Sequence, residues 1–144
     1  MVSSQSPYEF KVRHVILLFL ALSVPFSLLN FSAYLKGNMP SISQALYSTV
    51  FILLWFGCAF FLSNKNVGIK AASWFWGGGA LLLIPGYFGI FNLPVLFIFA
   101  GSLYGLRYFI GLPSDMNFAL IGILIAYGVT LMGWLLGKLK GSPQ

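Results

Sequence analysis

The stretch from Trp74 to Pro94, WFWGGGALLLIPGYFGIFNLP, places five glycines and two prolines inside a run long and apolar enough to cross a membrane. Glycine and proline are the poorest helix formers. In hydrocarbon, however, every backbone N–H and C=O must find a partner inside the protein, so a helix is still required wherever lipid touches the chain. The stretch therefore raises two separate expectations. Gly77, Gly78 and Gly79 are expected to form a close-packing face, because glycine lets a second backbone approach and membrane helices gain most from such contact. Pro85 and Gly86, with Gly89 close behind, are expected to kink or break the helix, leaving backbone groups free to line a cavity. A phosphate-cradling loop is excluded, since it needs a strand before the glycines and Lys-Ser or Lys-Thr after them.

Composition sets the solvent. Of the 144 residues, 59% are hydrophobic and only 7% charged, too few to clothe a water-soluble core, which takes about 25%. The mean hydropathy of +0.91 agrees. An all-α integral membrane protein follows, because the apolar runs are continuous and about 20 residues long, whereas barrel strands alternate and run to about 10. One polytopic domain over 1–144 is expected, with spans at about 14–35, 45–62, 71–91, 94–112 and 117–137. The connectors KGNMPSISQ, SNKNVGIK, NLP and PSDMN are rich in turn formers and too short to fold alone. Asn92 and Pro94 read as a helix start, and Asp115 as a cap for the fifth run.

The architecture expected is a compact bundle of about five transmembrane helices, with four crossings plus a re-entrant segment at 71–91 as the alternative. Charge bears on the choice, because cytoplasmic loops collect Lys and Arg. With a cytoplasmic N-terminus, five crossings put Lys11, Arg13, Lys65, Lys70 and Arg107 inside and Lys36, Lys138 and Lys140 outside, a weak bias. The re-entrant alternative leaves only Lys36 and Arg107 outside. The first run is read as a retained span rather than a cleaved leader, since the nearest candidate site, after Ala33, has Phe31 two residues before it.

The net charge of +6 resides at the ends of apolar runs and forms no patch, which argues for lipid headgroups and against nucleic acid as the partner. Cys58 is the single cysteine, so an internal disulfide and a cysteine metal site are excluded. Glu9, Asp115 and His14 are the whole carboxylate and histidine inventory and fall at span ends. No catalytic residues, metal or cofactor are expected, and the serines within the spans lack an adjacent base.

Arg107 is the one charge inside an expected span, in GSLYGLRYFIGL. Its stem can carry the guanidinium toward the interface. Its functional reading is an anion or ligand contact, with Tyr104 and Tyr108 on the same helix. Pro25 is expected to bend the first span. Gly101 with Gly105 and Gly133 with Gly137 have the spacing of packing seams. The leading functional expectation is a non-enzymatic accessory or structural subunit that packs against other membrane helices, in a homo-oligomer or a larger complex. The alternatives are a small channel or transporter for a neutral or anionic solute, using 71–91 and Arg107, and a protein that binds lipid or an apolar ligand.

Overall fold

The computed structural model describes residues 11–89, 92–113 and 116–141. Among the described residues, four helices are long and apolar enough to cross a membrane: α1 (Val12–Lys36), α2 (Ile42–Phe61), α3 (Asn66–Tyr87) and α6 (Met116–Gly141). At 1.5 Å per residue, they reach from roughly 30 to 39 Å, enough for a hydrocarbon core of about 30 Å. Their ends follow local chemistry. Ser41 and Gln44 form a reciprocal capping box at the start of α2, and α1 stops at Gly37, whose positive φ suits a residue without a side chain.

The segment expected as a fourth crossing is built differently. It consists of a short helix, α4 (Asn92–Phe99), a 3₁₀ helix (Gly101–Leu106) and a single turn, α5 (Arg107–Ile110). Both of its ends meet the same end of the bundle. Near its start, Val95 lies against Gly86 at the close of α3. Near its finish, Arg107 reaches the carbonyls of Gly37 and Asn38 in the α1–α2 link. Between those points Phe99 covers Gly79, and Gly101 lies against Ser27, nine residues before the last residue of α1. Nine residues of helix correspond to roughly 13 Å, so the segment goes about halfway down the bundle and comes back.

α3 continues through Pro85 and Gly86 to Tyr87, and α1 continues through Pro25, so neither proline divides its helix, as a bend without a break allows. The returning backbone lies at 92–112, not at 71–91. The physical reason is that a helix near its C-terminus, as α3 is at Pro85, loses little when one ladder bond is removed. The 3₁₀ stretch, by contrast, is surrounded by groups able to bond it.

The opposite end of the bundle gathers the rest of the chain. Gly137 of α6 packs on Phe60 and Ser63, and Lys138 donates to Asn66 Oδ1 at 3.4 Å. The core between is aromatic. Trp55 lies 4.0 Å from Phe19, 4.8 Å from Trp76 and 5.3 Å from Phe75, centroid to centroid, so three helices meet around one indole. Trp55 is fully buried among these rings and packs the core.

Candidate functional site

The 3₁₀ helix is buried along its whole length, from Gly101 to Leu106. Its i→i+3 bonds are less well aligned than an α ladder, and two neighbouring side chains add partners. Asn30 Nδ2 donates to Gly101 O at 3.0 Å, to Ser48 Oγ at 3.0 Å and more weakly to Ser102 O at 3.3 Å. Ser48 Oγ donates to Ser102 O at 2.8 Å and accepts from the Gly105 amide at 3.0 Å. The Ser48 hydroxyl, with one proton and two lone pairs, is thereby saturated. Asn30 and Ser48 clamp the turning point of the segment from α1 and α2 respectively. The two carbonyls also fix which way the Asn30 amide points, since its oxygen would be repelled there.

Close approach makes the clamp possible. A Cβ on Gly105 would run into the Gln44 carbonyl, so only glycine lets the 3₁₀ backbone rest on the first turn of α2. The same holds at Gly133, where a Cβ would lie 2.6 Å from Phe56 O, and at Gly137, beside the Phe60 carbonyl and the Ser63 side chain. Gly101, Gly105, Gly133 and Gly137 are thus covered by this chain's own α1 and α2. Gly79 is covered by Phe99, whereas Gly77 and Gly78 face open space.

Around the clamp lie polar atoms with no such partner. Ser23, Ser27 and Asn30 stand four and three residues apart on the buried face of α1, and all three are fully buried. Ser23 Oγ, Ser27 Oγ, Asn30 Oδ1 and Ser102 Oγ have no hydrogen-bond partner among the described residues, nor have the indole N–H groups of Trp55 and Trp76. Buried polar atoms in native proteins are overwhelmingly paired; the Trp134 indole N–H, toward the opposite end of the bundle, is unpartnered as well. Ser27 adjoins Gly101, and Trp55 and Trp76 adjoin one another one layer deeper.

Arg107 closes the segment. It is 5% exposed, donates from Nε to Leu112 O at 2.8 Å and from Nη1 to Asn38 O at 3.2 Å, Gly37 O at 3.4 Å and the Tyr104 hydroxyl. Tyr104 Oη in turn donates to Asn38 O at 2.9 Å. Of the three residues expected to act together, Arg107 and Tyr104 do meet. Tyr108 points outward against Phe109, and Asp115 lies outside the described residues. The guanidinium is folded into the α1–α2 link, at the end of the bundle.

No family model, curated protein or solved structure matches this chain. Among the described residues, no three His, Cys, Asp or Glu side chains come together as a metal would require. What the arrangement offers chemically is a set of fixed neutral donors and acceptors at mid-depth, beside backbone that is not locked into an α-helix.

The sequence carried a signal for this site that composition hides. Asn30 is the only amide inside the first apolar run, and its spacing to Ser27 and Ser23 follows the helical period. Serines within the spans are expected to bond a carbonyl one turn back. Thr49 and Thr130 do so, but Ser48 bonds across helices instead.

Proposed function

We propose that this multi-span membrane protein is a small channel or carrier for neutral, hydrogen-bonding solutes, working through the polar face of α1 and the segment 92–112. The observation that carries the reading is the buried 3₁₀ backbone at mid-depth, lined by Asn30 and Ser48 and by the unpartnered Ser27 and Ser102 hydroxyls, with the unpartnered Ser23 one turn further along α1. Non-helical backbone at membrane depth is tolerated where it is buried in protein or lines a water-filled path, and broken segments of this kind build transporter binding sites. Lone hydroxyls beside it supply the donors and acceptors that a dehydrated polar solute loses on leaving water.

A neutral solute is favoured over an anion because the cation nearest the segment is engaged. Arg107 spends its Nε and Nη1 protons on three carbonyls and a tyrosine, as a strut that holds the returning end in place. An accessory role gains less support, since the seams at Gly101, Gly105, Gly133 and Gly137 are filled from within the chain.

The same reading gives four crossings with 92–112 re-entrant. Lys11, Arg13, Lys65, Lys70, Lys138 and Lys140 then share one face, and Lys36 and Arg107 the other. A six-to-two bias assigns the larger group to the cytoplasm.

The test is solute-driven volume relaxation of proteoliposomes, with small polyols and amides as the panel. Flux above protein-free vesicles is expected, falling at least fivefold in the Ser27→Ala/Ser102→Ala double variant while thermal stability is kept. Flux indistinguishable from protein-free vesicles across the panel, or flux untouched by that variant, would contradict the proposal.

A further inference from the structure

The outer face of α3 carries a feature that the transport reading does not use. A groove of about 680 Å³ runs along Lys70, Ser73, Trp74, Gly77, Gly78 and Leu81. Its floor is made by Gly77 and Gly78, where a Cβ would meet nothing within 4 Å. Its walls are the Trp74 indole, 72% exposed, and Leu81, likewise 72% exposed. Lys70 is exposed, and no ion pair or hydrogen bond to it is formed by the described residues.

The geometry points to a binding site for one anionic glycerophospholipid, its phosphate on Lys70 and one acyl chain in the notch between Trp74 and Leu81. The floor is small on successive turns, at Ser73, Gly77 and Ala80, so an acyl chain can lie along it. The placement of charge favours a lipid as the occupant. Lys70 lies four residues into α3, at the end of the bundle that holds Lys65, Lys138 and Lys140, so its ammonium sits at headgroup level while Trp74 marks the interface just below.

The ligand is recognised by a phosphodiester and an acyl chain, so a free phosphate would supply only half of the contact. The chain-binding half is the more specific one. Substituting the floor is structurally permitted, because Gly77 and Gly78 have room for a side chain and helix propensity rises when glycine is replaced.

Native mass spectrometry of the full chain, released from nanodiscs containing equal amounts of phosphatidylglycerol and phosphatidylcholine, tests the site. One phosphatidylglycerol per monomer is expected to survive. Lys70→Gln should reduce its retention about fivefold, the worth of one basic residue at an anionic surface. Gly77→Leu should reduce it comparably by filling the notch, and Lys138→Gln, at the same membrane face, should leave it unchanged. Equal retention of both lipids would overturn the proposal, as would retention insensitive to Gly77→Leu, or a dimer that Gly77→Leu dissociates. Because Lys70 and Gly77 lie on the far side of α3 from the returning segment, solute flux is expected to persist in both variants, so each site can fail alone.

Discussion

At the scale of single residues, the buried serines divide into two kinds that the sequence does not distinguish. The Ser48 hydroxyl is saturated by three partners from two elements, whereas the hydroxyls of Ser102 and Ser27 bond to none among the described residues. Ser48→Ala is therefore expected to leave the Gly105 amide and the Ser102 carbonyl without their partner. Interhelical hydrogen bonds in membranes are worth roughly 0.6–1.7 kcal/mol, so the loss should be about 1–2 kcal/mol, visible as a lowered midpoint of thermal unfolding in detergent. Ser102→Ala should cost about 0.5 kcal/mol or less, because the hydroxyl it removes is unpaired and a buried, unsatisfied group is itself a penalty. If both variants lost equal stability, the assignment of the clamp to Ser48 would be wrong. Arg107→Met makes a stronger prediction at this scale. Four acceptors would lose their donor, and a fall of roughly 3 kcal/mol is expected in the same measurement, with Arg107→Lys recovering only part of it because an ammonium cannot reproduce the planar fork.

At the scale of elements, the glycines decide what can touch. Gly105→Ala should destabilise the bundle by about 1–3 kcal/mol, since the added methyl meets the Gln44 carbonyl rather than a flexible side chain. Gly78→Ala should be neutral or slightly stabilising, since its Cβ position is open. Thermal unfolding of the two variants side by side checks the contrast, which the sequence alone would not foresee: both residues belong to glycine clusters in apolar runs. The long helices were legible from continuous apolar runs and short, turn-rich connectors, because those depend on composition alone. The location of the irregular backbone was not. Pro85 and Gly86 are the strongest local breakers, yet α3 absorbs them one turn from its own end. The sequence GSLYGL contains no proline and looks like ordinary helix, but forms 3₁₀ structure because Asn30 and Ser48, 71 and 57 residues from their partners, bond its backbone. Propensity is a local quantity, and here long-range hydrogen bonds override it. The same limit applied to Arg107, whose position near a span end was evident but whose acceptors in the α1–α2 link were not.

At the scale of the whole molecule, four long helices surround one segment that goes halfway into the bundle and returns. That arrangement puts the Lys36 link, Phe88 and Pro113 at one end of the bundle, with Lys65 and Lys140 at the other. It also accounts for Asn30 within the apolar α1, since its amide bonds the returning backbone. Accessibility labelling measures this directly. In a Cys58→Ala background, single cysteines at positions 36, 88, 113 and 140 would be probed in sealed, oriented vesicles with a membrane-impermeant maleimide. Positions 36, 88 and 113 are predicted to label from one side, and position 140 from the other. Labelling of positions 88 and 113 from opposite sides would make 92–112 a full crossing and contradict the account.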